Sequence, residues 1–113
     1  EATSRQRGRN YECFGAPVAL FFVIDRDMEA GSWLDYGMFI QSIMIAARGY
    51  GLHTCPQAAL ANYPDIVREH LGIGNDKLIV CGLSIGYADP DDPVNEFRPQ
   101  RLPLEAYVTH HID

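Results

Sequence analysis

The sequence predicts a mixed fold, α+β or α/β, in which two apolar strands flank a long apolar helix. The run P-V-A-L-F-F-V-I-D at 17–25 and the run K-L-I-V-C-G-L-S-I-G-Y at 77–87 are rich in β-forming residues. Between them, residues 32–49 are apolar around nearly the whole circumference of a helix. This order of elements, without an internal repeat, is typical of a mixed domain.

Composition narrows the classes of function. The 113 residues are 47% hydrophobic and 21% charged, which fits one globular domain, and the formal net charge is −6. An acidic chain with a single lysine lacks the broad basic face that general nucleic-acid or membrane-surface binding needs. Three cysteines without a C-x-x-C pair argue against a disulfide framework or a zinc site, so we expect a reducing, cytoplasmic location.

The first elements follow from the pattern of apolar residues. Residues 1–11 are polar and are predicted to form a flexible segment, and the domain proper is predicted to cover 12–113. The apolar run that follows predicts a strand buried on both faces. Ser32 and Asp35 resemble a capping box at the start of the long helix, and Gly49 and Gly51 supply its end.

A helix that is apolar all round must be buried, and this one is shorter than the about 20 apolar residues that span a bilayer. We therefore expect it to be covered by a partner subunit. Residues 52–62 are predicted to be a loop. A short helix should then begin at Pro64, face inward through Ile66, Val67 and Leu71, and end at Gly72, before the second strand.

The sequence lacks most of the motifs by which catalytic or metal-binding side chains are recognised. G-L-S-I-G at 82–86 is neither a phosphate loop nor a dinucleotide fingerprint. It spells G-x-S-x-G around Ser84, but it lies inside the predicted second strand and not at a strand-to-helix turn, so no nucleophilic serine is predicted. The four histidines lack metal-ligand spacing, so no metal and no catalytic side chain is predicted. Cys55 is expected to be a buried, unreactive thiol.

Two segments remain as candidates. In C-P-Q-A-A, Pro56 and small residues follow the long helix, where a flat ligand could lie against the backbone. In R-P-Q-R, Arg98 and Arg101 lie on a stretch that Pro99 and Pro103 hold extended. Such a pair of guanidinium groups can hold a phosphate through charge-assisted bonds, or can be ordinary surface charge.

Four motifs together resemble the C-terminal half of the FMN-dependent nitroreductase family, over residues of about 12–108. They are A-P-V-A-L-F-F-V-I-D, the stretch from W-L-D-Y-G to C-P-Q-A-A, G-L-S-I-G-Y-A-D, and N-E-F-R-P-Q-R-L-P-L-E. Within the family, the bacterial oxygen-insensitive enzymes that act on nitroaromatics are the most similar. The resemblance implies a partial α+β domain, a central sheet with a long apolar helix at a homodimer interface, and FMN bound between subunits.

The resemblance also implies roles for individual residues. Arg101, together with Arg98, would hold the FMN phosphate. Pro56, Gln57, Ala58 and Ala59 would lie along the isoalloxazine edge, with a backbone N–H near Ala58 at flavin N5. NAD(P)H would supply the hydride and a nitroaromatic would accept it, because in such enzymes the cofactor carries the chemistry.

The sequence departs from the family at two points. Alanines stand where many relatives have an acidic residue and a glycine, and the family's N-terminal arginine- and serine-containing motif is not in these residues. Two alternatives follow. The chain could be a truncated, cofactor-free dimerising module, or a flavoenzyme of the same fold that removes halogens or reduces activated alkenes.

Overall fold

The computed structural model describes residues 2–112 and has an α+β architecture built on one small antiparallel sheet. Its helices are α1 (Ala2–Gly8), α2 (Ala30–Gly49) and α3 (Pro64–Leu71), and its strands are β1 (Val18–Asp25), β2 (His53–Gln57) and β3 (Lys77–Gly86). Short 3₁₀ segments cover Arg9–Gly15, Ala58–Ala61, Pro93–Asn95 and Leu104–Ala106.

The sheet order is β1-β3-β2, and both pairings are antiparallel. Strand β3 therefore lies at the centre of the sheet, and β1 and β2 are its edges. Leu83 pairs with Leu20 on one side and with Pro56 on the other, and its side chain is fully buried. Val80 has no partner in β1, because the register shifts between Phe22 and Val23, so β3 carries one extra residue at this irregularity of the ladder.

Helix α2 packs on the face of the sheet that carries Leu83. The Phe22 ring meets the rings of Tyr36 and Phe39 edge-on, at centroid distances of 6.0 and 6.4 Å. The Tyr36 hydroxyl donates a hydrogen bond of 2.8 Å to the Val23 carbonyl. Burial raises the pKa of Tyr36, so the hydroxyl stays a donor across the physiological range.

The two faces of the sheet are only partly covered. Buried hydrophobic side chains among the described residues are Phe22, Ala47, Leu60 and Leu83. The prediction that the first strand is buried on both faces is wrong, because β1 is an edge strand and most of its side chains are half-buried or exposed. Large apolar side chains of α2 remain exposed, namely Trp33, Leu34, Met38, Phe39 and Ile45.

The predicted N-terminal loop is helical instead. Residues 2–8 form α1 and residues 9–15 continue as a 3₁₀ segment, while residue 1 lies outside the described part. Helix α1 is exposed, and an exposed helix needs no apolar period. The sequence therefore carries no hydrophobic signal for it. Cys13 and Phe14 have left-handed φ values of 50° and 54°, which turns the chain sharply into β1.

Two other local predictions are wrong, and one is confirmed. Helix α2 begins at Ala30 with Glu29 as its N-cap and no side-chain capping bond, so the Ser32 capping box does not form. Residues 53–57, predicted as part of a loop, form edge strand β2, where a proline such as Pro56 is tolerated. The end of α3 at Gly72, with φ of 66°, is confirmed.

Helix α3 buries Arg68 more deeply than the three apolar residues predicted to face inward, of which only Val67 is half-buried. Ile66 and Leu71 are 67% and 47% exposed, whereas Arg68 is buried. The Arg68 guanidinium donates a hydrogen bond of 2.7 Å to the Lys77 carbonyl and forms an ion pair with Asp65 at 3.6 Å. Arg68 therefore joins α3 to the start of the central strand through a polar contact.

Among residues 2–112, none of the helices combines the length and the apolar character that crossing a membrane would require.

Candidate functional site

The segment Pro56–Ala59 lies at the C-terminal end of β2, where the strand passes into the 3₁₀ segment Ala58–Ala61. Pro56 and Ala58 are exposed, and Ala59 is half-buried. Small side chains at an exposed edge allow a flat group to approach the backbone closely. Their place in the fold is thus compatible with the role that the family resemblance implies, which stays a prediction.

Gln57 differs from its neighbours because its side chain is buried. Only 2% of the residue is exposed, and its amide nitrogen donates to the Asn10 backbone carbonyl at 2.9 Å and to Asn10 Oδ1 at 3.2 Å. The Ser84 hydroxyl donates to Gln57 Oε1. If Gln57 contributes to a flavin site, it does so by holding its exposed neighbours Pro56 and Ala58 in place, since Gln57 itself is almost wholly buried.

The partners of Gln57 were missed by reasoning from the sequence. The sequence pattern gives Ser84 no role and places Asn10 in the N-terminal segment that is predicted to be flexible. The available signal was a serine in the middle of the apolar strand β3, because a buried hydroxyl needs a hydrogen-bond partner. Nothing local to the sequence pointed to Asn10 as part of that group.

The arginine segment lies in an exposed stretch, and all residues from 93 to 107 are exposed. Arg98 Nη1 donates to the Asn95 carbonyl at 2.6 Å and to the Phe97 carbonyl at 3.1 Å. Arg101 has no hydrogen-bond or ion-pair partner within residues 2–112. One guanidinium thus stabilises its own segment, and the other is available for an anion.

The structure does not bring the two candidate segments together through its own contacts. Within the described residues, no hydrogen bond or ion pair joins Arg98 or Arg101 to Pro56–Ala59. Asn95 connects the arginine segment to the loop after β3, because its side chain donates to the Asp89 carbonyl at 2.8 Å. This hydrogen bond therefore fixes the start of the arginine segment to the loop that follows β3.

A cleft of about 380 Å³ lies at the opposite end of β2, beside His53. None of the six predicted site residues lines it. At its edge, Arg9 pairs with Asp92 at 3.3 Å and lies over the Phe14 ring at 5.8 Å. The Val94 N–H and then Arg9 lower the pKa of Asp92, so this carboxylate is ionised and already engaged.

Cys55 is exposed, so the expectation of a buried thiol is wrong. It lies on the edge strand β2, directly opposite Ser84 of β3, with its neighbour Pro56 also exposed. Partial desolvation raises its pKa, which lowers the fraction of reactive thiolate at neutral pH. The structure thus gives no sign of an activated cysteine nucleophile at this position.

The sequence profile of the Nitroreductase family matches residues 1–87 of this chain. This chain belongs to the nitroreductase family. The match covers α1, α2, α3 and all three strands, so the predicted α+β nitroreductase-like fold is confirmed. Arg98 and Arg101 lie outside the matched range.

Curated members of the family are similar over nearly the whole chain. A 4-nitrobenzoate reductase of Pseudomonas putida is 45% identical over 109 residues, which are 96% of this chain and 48% of the relative. A chloronitrobenzene nitroreductase of Comamonas testosteroni is 40% identical over 111 residues, or 96% of this chain and 49% of the relative. The chain therefore spans about half the length of the nitroreductases it matches.

Solved structures of the family show the same fold. The FMN- and NADPH-dependent nitroreductase NfnB from Sphigopyxis sp. strain HMH superposes with a TM-score of 0.94 at 38% identity, covering 99% of this chain and 50% of the other. NfnB from Mycobacterium smegmatis, solved in complex with NADPH, gives a TM-score of 0.87 at 32% identity, covering 92% and 46%. The fold of this chain is thus that of half of a nitroreductase subunit.

Proposed function

We propose that the protein containing this chain is an FMN-dependent oxidoreductase that uses NAD(P)H to reduce nitroaromatic compounds. The observation that carries the proposal is the 45% identity, over nearly the whole chain, to a 4-nitrobenzoate reductase. The structural neighbours described as FMN- and NADPH-dependent support the same cofactors. Within this proposal, reduction of nitro groups is favoured over dehalogenation or alkene reduction, because the similar curated proteins are named for nitro substrates.

The described residues fit FMN at both of its ends. The exposed Arg101 guanidinium, without a partner in residues 2–112, offers the planar donors that suit a phosphate. The exposed, small residues Pro56 and Ala58 allow the ring system to lie against the backbone. These two features have complementary roles, because the arginine supplies charge and the strand end supplies a flat surface.

In this proposal the chain binds and orients, and the cofactor carries the redox chemistry. When bound, FMN supplies the two-electron chemistry that takes a hydride equivalent from NAD(P)H to a nitro group. The backbone at Pro56–Ala59 would fix the position of the ring edge, with the N–H near Ala58 donating to flavin N5. Arg101, with Arg98, would hold the phosphate, and no side chain is assigned a proton transfer.

Flavin binding and activity test the proposal directly. The purified protein is expected to be yellow, to quench FMN fluorescence on titration, and to consume 4-nitrobenzoate only when NADH or NADPH is present. Omitting the nicotinamide, and separately removing FMN, are the controls. Colourless protein that leaves FMN fluorescence unchanged would instead support a cofactor-free dimerising module.

We also propose that the exposed apolar face of α2 is the interface of a homodimer. A stable interface buries about 800 Å² on each partner, and apolar side chains in water are its usual core. Leu34 and Met38, 68% and 55% exposed, lie beside a shallow groove on this helix. Because α2 packs its other side against Phe22, the exposed face can be covered without disturbing the sheet.

The dimer proposal predicts a specific response to charge on α2. In sedimentation velocity, the protein is expected to behave as a dimer, and Leu34→Arg is expected to shift it toward monomer. Ile66→Arg on α3 is a matched control, since Ile66 is 67% exposed and lies on another helix. A monomeric wild-type protein, or a Leu34→Arg variant that dimerises equally well, would contradict this assignment.

A cytoplasmic location stays a prediction, supported by Cys13, Cys55 and Cys81 all being free thiols. Fractionation of cells that produce the protein tests it.

A further inference from the structure

Gln57 has the most constrained polar side chain in the candidate site. Its amide nitrogen donates to both oxygens of Asn10, at 2.9 Å to the backbone carbonyl and at 3.2 Å to Oδ1. Its amide oxygen accepts from the Ser84 hydroxyl. Gln57 and Ser84 are 2% and 4% exposed, so these bonds are shielded from water and a missing partner would leave a buried polar group unpaired.

The network joins three separate parts of the chain. Asn10 belongs to the 3₁₀ segment before β1 and lies 47 residues from Gln57, and Ser84 lies 27 residues away on β3. The Asn10 side-chain nitrogen donates to the Arg7 carbonyl at 3.1 Å, which orients Oδ1 toward Gln57. The end of β2 is therefore fastened both to the central strand and to the N-terminal segment.

A second contact fastens the residues that follow. Leu60, 7% exposed, packs directly on Gly82, where an added Cβ would overlap Leu60 Cδ1. Gly82 and Gln57 are direct partners in the ladder between β2 and β3. The strand end at 56–59, where Pro56 and Ala58 are exposed, is thus held from inside by Gln57 and by Leu60.

We propose that Gln57 is a positioning residue for FMN, which acts through the backbone at 57–59 rather than by touching the flavin with its side chain. The Gln57–Ser84–Asn10 network fixes the strand end against which the isoalloxazine ring lies, and so favours tight binding of FMN and its reduced form. A hydrogen-bond donor aimed at the ring contributes most when it cannot move. The inference rests on the proposed flavin-dependent function.

Gln57→Leu tests the proposal, because leucine keeps most of the volume and removes all three hydrogen bonds. The FMN dissociation constant, from fluorescence titration, is expected to rise about fivefold, as for the loss of one net hydrogen bond. The midpoint potential of bound FMN is expected to become more negative, since the reduced form loses more stabilisation. Ser84→Ala should move both quantities in the same direction by less, and the double variant should not be additive.

Arg68→Met is the matched control for stability. Arg68 is also a buried polar residue that bridges two elements, but it bonds to the Lys77 carbonyl at the start of β3, whereas Gln57 pairs with Gly82 further along that strand. The Arg68→Met variant is expected to have a lower melting temperature but an unchanged FMN dissociation constant and an unchanged midpoint potential. A purely structural role for Gln57 would make the two variants behave alike.

The outcomes separate this inference from the proposed function. If the wild-type protein binds no FMN, both are overturned. If it binds FMN and Gln57→Leu keeps the wild-type affinity and potential, only the positioning role is overturned. Should Gln57→Leu fail to fold, Ser84→Ala decides by the same two measurements, because it deletes a single oxygen from the network.

Discussion

Leu83→Ala is expected to lower the free energy of unfolding by about 2–5 kcal/mol, as for other large-to-small changes in protein cores. Leu83 is the one large side chain that is fully buried among the described residues, at the centre of the middle strand. It pairs with Leu20 and Pro56, so the cavity would open between all three strands. Since only a few hydrophobic side chains are buried, the neighbours have little means of filling the space.

Denaturant unfolding of the protein containing this chain measures the effect. Leu102→Ala is the matched control, because it removes the same atoms from a leucine that is 70% exposed and should change stability by less than about 0.5 kcal/mol. Equal destabilisation by the two variants would show that β3 is not the centre of the core.

Arg101→Ala is expected to weaken FMN binding by about 1.5–3 kcal/mol, or roughly tenfold to a hundredfold. The reason is the loss of a charge-assisted bond to a phosphate that is partly removed from water in the complex. Arg101 is exposed in the chain, and a bond left in full contact with solvent would contribute much less. The size of the loss in FMN affinity therefore shows whether the bound phosphate is removed from water.

The control variants use other arginines of this chain. Arg5→Ala removes the same charge from the exposed helix α1 and should leave FMN affinity unchanged. Arg98→Ala should have a smaller effect than Arg101→Ala, because one Arg98 nitrogen already bonds to the Asn95 and Phe97 carbonyls. Fluorescence titration with FMN measures all three, and an unchanged affinity in Arg101→Ala contradicts the phosphate role.

The sequence predicted well those elements that depend on strong local patterns. β1 and β3 are continuous apolar runs, α2 has a long apolar surface, and the end of α3 requires the left-handed glycine Gly72. These signals are contained in a few neighbouring residues. Strand β2 was missed because Pro56 weakens the strand pattern, while an edge position in the sheet accepts it.

The candidate site was predictable only in part. The family motifs predict Pro56–Ala59, Arg98 and Arg101 as site residues, and their roles stay predictions. The exposures of Pro56 and Ala58 agree with a surface for a flat ring, whereas Gln57 turns its side chain into the protein. The local sequence does not indicate which of these four consecutive residues is buried and which are exposed.

What the sequence determined by itself is the pair of apolar strands β1 and β3, the helices α2 and α3 between them, and the family motifs. What only the tertiary structure decided is which polar groups are buried and with whom they pair. The buried amide of Gln57 finds its hydrogen-bond partners in Asn10 and Ser84, which are distant in the sequence. The buried guanidinium of Arg68 likewise donates to the Lys77 carbonyl. Burial of a polar group depends on partners from distant segments, and only folding brings those partners together.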